Sequence, residues 1–287
     1  DGNRADQTSG YQASVDYVLE ELAGTGWQAE TVPFTYAGTD TLLQQLTPNA
    51  ADYDSGQFTG SGEGDVSGQV VAVDLSLDGD RASTSGCQAE DFDGLDFSGD
   101  SDIALIQRGA CAFGLKVENA EAAGAEAVVI FNQGNTEERE ALLSNVTLGG
   151  DSDLAVVGAS FDAGVALAAD GATARVLVDE VERTSFNVIA ELPGKTDDNV
   201  VMAGAHLDSV EVGPGINDNG SGSAALLEVA QQMSKSKPQN TVRFAWWGAE
   251  ELGLIGSTEW VDQRTEAELA DIALYLNFDM VGSPNYV

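Results

Sequence analysis

The sequence predicts an α/β fold with a mostly parallel central sheet flanked by helices and a smaller, inserted β-rich α+β domain. After residue 185, near-continuous apolar strands alternate with helical segments, which is typical of a parallel sheet covered on both faces. The Gly-rich stretch 37–185 separates this alternation from an N-terminal amphipathic helix, which must bury its apolar stripe against another element. We therefore expect one domain from residues 1–36 and 186–287, with 37–185 as the insertion.

The individual elements follow from hydrophobic periodicity and from turn residues. Residues 8–24 are predicted to form a helix, because apolar residues recur at i, i+3, i+4 and i+7 from Val15 and Gly24 is a stop signal. A short strand is expected at 29–36. Within the insertion, strands are expected at 69–77, 102–109, 126–133 and 172–181, with a helix near 113–123. The later elements are strands at 186–192, 200–207, 241–247 and 272–278, a helix at 222–233 and a helical stretch at 254–270.

The charge balance excludes some partners. The chain has 48 acidic against 12 basic residues, a net charge of −36, and its hydrophobic fraction of 43% is enough for a buried core. Phosphate binding needs clustered Lys and Arg, which this sequence does not show, so nucleic acid is not expected as a partner. No apolar run approaches the roughly 18 residues that a membrane span needs. Salt screens the self-repulsion of such an acidic surface, so we expect a protein adapted to high salt.

The two cysteines, Cys87 and Cys111, leave two interpretations open. They are either free thiols in the core or a disulfide that closes a loop worth about 3 kcal/mol in the chain-entropy model. A disulfide would place the protein in an oxidising, extracytoplasmic compartment. The N-terminal residues show neither the basic region nor the apolar region of a signal peptide, which fits a mature form or a protein without one.

The single histidine, His206, ends a predicted strand, and carboxylates occupy equivalent positions on neighbouring elements. Each has an ordinary structural interpretation: a buried histidine, a solvated charge pair or a helix cap. The carboxyl ends of parallel strands meet at the edge where α/β sheets bind ligands, so their common position favours a shared site. An imidazole with several carboxylates is a ligand set for zinc. The carboxylates are Asp218 before helix 222–233, Glu250 and Glu251 after strand 241–247, and Asp279 after strand 272–278.

Four motifs surround these residues: GAHLDSV, GPGINDNGSGSAALLE, WWGAEELGLIGS and NFDMVG. They resemble the co-catalytic di-zinc aminopeptidases of the aminopeptidase S and aminopeptidase Y group. The resemblance covers the N-terminal helix and 186–287 and implies a fold of the zinc-exopeptidase type. Residues 103–135 resemble the protease-associated domain that several members carry as an insertion, in which Cys87 and Cys111 stand where a disulfide often forms.

The resemblance implies two zinc ions per active site. His206 and Asp279 would bind one ion, Glu251 would bind the other, and Asp218 would bridge them. The peptide bond that follows Asp218 is expected to be cis. The family completes the second site with another histidine beyond the position of Asp279. Because this sequence has a single histidine, we expect the 287 residues to be part of a longer enzyme.

The resemblance also implies the catalytic roles. Glu250 would be the general base that acts on zinc-bound water, and Asp208 would hold the imidazole in the tautomer that ligates. The expected reaction is hydrolysis of the N-terminal peptide bond of peptides or proteins. A related carboxypeptidase would need basic residues for a terminal carboxylate, and this chain has few. Receptor-like relatives without catalysis have lost metal ligands that are present here.

Overall fold

The computed structural model describes residues 2–284, apart from the side chain of Asp197. It forms two compact units, Asp1–Tyr36 with Glu182–Val287, and Ala37–Val181. The helices of eight or more residues are α1 (Ser9–Leu22), α2 (Phe113–Ala123), α4 (Gly220–Met233) and α5 (Ile255–Asp262), and the short ones are α3 (Phe161–Leu167) and α6 (Glu266–Ala270). The strands are β1 (Gln28–Thr47), β2 (Ala51–Tyr53), β3 (Gly56–Thr59), β4 (Gly64–Val73), β5 (Ile103–Gln107), β6 (Ala127–Phe131), β7 (Val146–Thr147), β8 (Ala155–Ala159), β9 (Thr173–Leu192), β10 (Thr196–His206), β11 (Asn240–Trp247) and β12 (Ile272–Asn277).

In the first unit, the strands lie in the order β12–β10–β11–β9. β10 is parallel to both β11 and β12, and β9 is antiparallel to β11. The register aligns the strand ends: His206 is opposite Trp247, and Gly204 is opposite Asn277. The residues that follow these three strands therefore meet at one edge, and the predicted α/β class with its parallel central sheet is confirmed.

Helix α1 packs on this sheet, as its amphipathic pattern predicts. The hydroxyl of Thr8 caps its first turn by accepting a hydrogen bond from the backbone of Tyr11. The indole of Trp27, just beyond the helix, stacks on Phe244 at 4.8 Å between ring centroids and donates to the carbonyl of Ala230 in α4 at 2.7 Å. The buried face of α1 consists of Tyr11, Val15, Val18 and Leu22, which join the core of the sheet and α4.

Several boundaries differ from the sequence prediction. The strand expected at 29–36 extends over Gln28–Thr47, and the strand expected at 69–77 is Gly64–Val73. The helical stretch expected at 254–270 is divided into α5 and α6, because Thr265 caps the second helix in a reciprocal capping box with Glu268. The strands expected at 172–181 and 186–192 are one continuous strand, β9, since the intervening residues contain no Gly, Pro or Asn to break it. Residues 182–185 group with the first unit, where Gln7 donates to the carbonyl of Thr184 at 3.0 Å.

The second unit has four parallel strands at its centre, in the order β4–β5–β6–β8. Strands β5, β6 and β8 are buried throughout, so this unit has its own hydrophobic core. Helix α2 is capped after Ala123 by Gly124, whose φ of 102° is the left-handed conformation that glycine tolerates best. Cys87 and Cys111 are joined by a disulfide, in agreement with the resemblance. Among the described residues, no helix has the length and apolar character needed to cross a membrane.

Candidate active site and metal centre

The imidazole of His206 lies at the centre of a group of carboxylates, and its residue is only 3% exposed. Its Nε2 atom is 3.0 Å from Oδ1 of Asp218, 3.5 Å from Oδ1 of Asp279 and 3.6 Å from Oε2 of Glu250. Three potential ligand atoms, one each from His206, Asp218 and Asp279, lie within 4.8 Å of one another. The fold thus brings together residues from β10, from the loop before α4, and from the segments after β11 and β12.

Asp208 is fully buried and holds two parts of this centre. One carboxylate oxygen lies 3.5 Å from Nδ1 of His206, whose Nδ1 is also 3.2 Å from the main-chain carbonyl of Asp208. Its two carboxylate oxygens accept hydrogen bonds from the backbone N–H groups of Glu250 and Glu251, at 3.1 Å each. The resemblance implies an orienting role for this residue, and that role stays a prediction. The support of the glutamate turn is a second role that the sequence did not predict.

The turn after β11 places two adjacent glutamates in different surroundings. Gly248 is required there, because a Cβ atom would lie 2.3 Å from the hydroxyl of Tyr11. The turn closes where the N–H groups of Gly253 and Leu254 donate to the carbonyl of Glu250, both at 2.8 Å. The Glu250 carboxylate faces His206, whereas Oε1 of Glu251 is buried and has no hydrogen-bond partner among residues 2–284.

Asn219 ties the segment that carries Asp218 to the one that carries Asp279, and it is completely buried. Its Oδ1 accepts from the N–H of Gly222, capping α4, at 2.9 Å and from the N–H of Met280 at 3.3 Å. Its Nδ2 donates to the carbonyl of Phe278 at 2.9 Å. Both sequence neighbours of Asp279 are thereby fixed. The bond between Asp218 and Asn219 is cis, as the resemblance implies.

Arg4 is a second supporting residue that the sequence analysis missed. Its Nε donates to the carbonyl of Leu207 at 3.1 Å, its Nη2 donates to the carbonyl of Gly215 at 3.0 Å, and Nη1 donates to Pro214. Its backbone also exchanges hydrogen bonds with Ser209. The guanidinium therefore joins the first residue of the loop between β10 and α4 to Pro214 and Gly215 within that loop. The sequence offered only a weak signal for this role, because Arg4 is one of few basic residues and lies in a segment without predicted structure.

The electrostatics favour a bound cation. Burial alone would lower the pKa of His206, but the hydrogen bond to Asp208 and the surrounding carboxylates raise it to about 9. Burial raises the pKa of Glu250, and burial followed by the charge of Asp218 raises that of Glu251. These carboxylates destabilise one another's charged forms, and a positive ion between them would relieve this repulsion.

The donor set fits zinc. Zinc accepts imidazole nitrogen together with carboxylate oxygen, and His206, Asp218 and Asp279 offer that combination. The buried, unpartnered Oε1 of Glu251 is an independent sign, since a buried carboxylate oxygen without a donor is expected to meet a cation.

The fold and the site together define the zinc-peptidase class of α/β proteins. The chain belongs to Peptidase family M28, whose model matches residues 187–287, and it carries a PA domain, whose model matches residues 66–167. The predicted membership and the inserted protease-associated domain are thus confirmed.

Similar proteins share both parts of the chain. An aminopeptidase from Pseudomonas aeruginosa is 50% identical over 299 residues, covering 100% of this chain and 55% of that protein. The structure of BSAP, a zinc aminopeptidase from Bacillus subtilis, superposes with a TM-score of 0.71 at 28% identity, over 97% of this chain and 65% of that one. An aminopeptidase from Aneurinibacillus sp. strain AM-1 gives a TM-score of 0.55 at 33% identity, over 97% and 67%. The chain spans just over half the length of the curated relatives that it matches.

Proposed function

We propose that the protein is a zinc-dependent aminopeptidase that hydrolyses the N-terminal peptide bond of peptides and proteins. The observation that carries this proposal is the buried imidazole of His206, surrounded by carboxylates at 3.0–3.6 Å at the carboxyl edge of the sheet. Its relatives include an aminopeptidase and a zinc aminopeptidase, which supports the same activity.

The residues of the centre divide into ligands and supports. His206 and Asp279 would hold one zinc ion, Glu251 would hold a second, and Asp218 would bridge the two. When bound, zinc lowers the pKa of a water molecule and polarises a peptide carbonyl. Asp208 keeps the imidazole oriented so that Nε2 faces the carboxylates, at 3.0 Å from Asp218.

Glu250 is the proposed general base. Its carboxylate faces the centre at 3.6 Å from Nε2 of His206, and its backbone is anchored by Asp208. A carboxylate within hydrogen-bond reach takes a proton from the attacking water and delivers it to the leaving amine. Burial raises the pKa of Glu250, which makes its carboxylate a better proton acceptor near neutral pH.

The surplus of carboxylates suits the free α-ammonium group of a peptide N-terminus. A carboxypeptidase would need a free basic group for the terminal carboxylate. The positive charge of Arg4 interacts with Asp208 and Asp218, and its guanidinium already donates hydrogen bonds to three carbonyl groups. A receptor-like protein without catalysis is disfavoured because His206, Asp218, Glu251 and Asp279 are retained as potential ligands. A cavity of about 550 Å³ beside His206 and Glu250 is lined largely by apolar side chains, which favours an apolar first residue in the substrate.

We further propose an extracytoplasmic location in a salty environment. The Cys87–Cys111 disulfide supports the location, because such bonds persist in oxidising compartments. The net charge of −36 supports the salt adaptation.

The decisive experiment combines metal analysis with two substrates, on the protein in its full-length, metal-loaded form. Anomalous scattering at the zinc edge should locate zinc against His206 and Asp218, and leucine p-nitroanilide should be hydrolysed while its N-acetylated counterpart is not. Equal hydrolysis of the blocked substrate would contradict aminopeptidase action. Full activity after complete removal of metal would contradict the zinc mechanism.

A further inference from the structure

Basic side chains are distributed unevenly in the second unit. It contains five of the chain's 12 Lys and Arg residues, and four of them lie near the carboxyl ends of β5 and β6. Three of these are arginines, Arg81, Arg108 and Arg139, which we call the arginine site. The five residues are Arg81, Arg108, Lys116, Arg139 and Arg175.

The arginine site is assembled on one short segment. Arg108 follows β5 directly and donates from Nη1 to Oδ1 of Asn132, at 3.4 Å. Arg139 donates from Nη1 to Oε1 of Gln133, whose Nε2 in turn donates to the carbonyl of Arg81 at 3.0 Å. Because Asn132 and Gln133 follow β6, the three arginines gather at the carboxyl edge of parallel strands, where α/β sheets commonly bind ligands.

The support beneath these arginines is rigid. The amide side chains of Gln107, Asn132 and Gln133 are 0%, 3% and 7% exposed. Gln107 donates from Nε2 to the carbonyl of Gln133 at 3.0 Å, and Asn132 donates to the carbonyl of Ala141 at 3.0 Å. Buried amides that are satisfied in this way hold the guanidinium groups in place before any ligand arrives.

The charges at the arginine site are not balanced. Within residues 2–284, Arg108 and Arg139 form no ion pair with a carboxylate, although the chain carries 48 acidic residues. Burial first, and then the positive charge of Arg139, lower the pKa of Arg108. Arg81 meets Glu140 at 3.3 Å, and its guanidinium lies 4.1 Å above the ring of Phe161. Arg108 and Arg139 bind adjacent residues of one segment, Asn132 and Gln133, and neither is neutralised by an ion pair within residues 2–284, which favours an anion as ligand.

We infer that the arginine site binds a carboxylate of a polypeptide. A planar guanidinium group can form two parallel hydrogen bonds to a carboxylate, and two guanidinium groups can bind the same carboxylate. Glu137, Glu138 and Glu140 share the segment of Arg139 and would repel a polyanion, which favours a single carboxylate over nucleic acid. The site needs no metal, so this inference is independent of the proposed peptidase activity.

The test measures peptide binding to the whole chain after metal has been removed with a chelator. The probe is a fluorescent, N-acetylated peptide with Asp and Glu near a free C-terminus, followed by anisotropy at low ionic strength. The double variant Arg108→Gln/Arg139→Gln should weaken binding at least about tenfold, the loss expected for charge-assisted contacts. The matched control is Arg175→Gln, because Arg175 is already paired with Asp65 at 2.7 Å. It should leave binding unchanged.

Folding of the variants is checked by thermal melting and by the absence of free thiols. If the double variant does not fold, Arg108→Lys is measured in its place. This substitution keeps the positive charge but removes the planar guanidinium group, so binding of the probe should still weaken. Failure of the wild-type chain to bind the probe, or binding that these substitutions leave unchanged, would overturn the inference.

Two further peptides identify the source of the carboxylate. A C-terminally amidated probe that loses affinity shows that the site takes a C-terminus. A probe with Asn and Gln in place of Asp and Glu that loses affinity shows that it takes an acidic side chain. Carboxylate recognition is contradicted if a probe that carries both changes keeps its affinity. It is also contradicted if the chain binds inorganic phosphate but none of the acidic peptides.

Discussion

Asp208→Asn would separate the charge of a fully buried side chain from its shape. The carboxylate accepts one hydrogen bond from the N–H of Glu250 and one from that of Glu251, each at 3.1 Å. The asparagine side chain has one oxygen and one NH₂ group. One of the two backbone N–H groups would therefore donate to a neutral oxygen, and the other would face the NH₂ group, which is itself a donor. The turn that carries both glutamates should therefore loosen, together with the orientation of His206.

The magnitude follows from these two bonds. A hydrogen bond to a charged group contributes roughly 1.5–3 kcal/mol and a neutral one about 0.5–1.5 kcal/mol, and a buried donor without a partner costs about 1–3 kcal/mol. The bond that becomes neutral should lose about 1–1.5 kcal/mol, and the orphaned donor should cost about 1–3 kcal/mol, so the free energy of unfolding should fall by about 2–4.5 kcal/mol. With a urea slope near 2 kcal/mol per molar, the unfolding midpoint should fall by about 1–2 M.

The assay is urea unfolding of the metal-free protein, followed by tryptophan fluorescence. All four tryptophans, Trp27, Trp246, Trp247 and Trp260, belong to the first unit, so the signal reports the unit that contains Asp208. The matched control is Asp262→Asn, an exposed position that should change stability by less than about 0.5 kcal/mol.

Zinc affinity provides the second measurement for Asp208→Asn. Loss of the group that orients a ligating histidine typically weakens metal binding by about 10–100-fold. A variant that matches the control in both the urea midpoint and the zinc affinity would refute the view that Asp208 organises the centre.

Four other predictions concern the centre and the chain as a whole. Glu250→Gln should retain zinc and lose about 10²–10⁴-fold in rate, whereas Glu251→Gln should lose metal; equal metal content and equal rates would contradict the proposed roles. Arg4→Gln should weaken zinc binding and speed proteolysis between β10 and α4, because it frees Leu207 from Pro214 and Gly215 in that loop; an unchanged cleavage rate would argue against a supporting role of Arg4. Thiol titration of unreduced, denatured protein should find no free thiol, and two would disprove the Cys87–Cys111 bond. The melting temperature should rise between about 0.1 M and about 1 M KCl, as the Debye length falls from about 10 Å to about 3 Å, and a flat response would leave the acidic surface unexplained.

The sequence determined the elements that place the metal centre. Apolar runs of strand length ended at His206, Trp247 and Phe278, and parallel strands with aligned ends bring the following residues together. This rule is local, because it needs only the strand type and the position of its last residue. For that reason the convergence of His206 and Asp279 with the glutamate turn could be expected before the register was known.

Only the tertiary structure decided which residues support the centre and where the second unit gathers its charge. Arg4 reaches Leu207 and Gly215 across more than 200 residues of chain, and Asn219 reaches Phe278 across 59. Arg108 and Arg139 are 31 positions apart in a sequence without a basic run, yet both bind the segment after β6. Periodicity and capping rules describe neighbours within a few residues, whereas these contacts form only after loop closure and strand pairing have brought distant segments together.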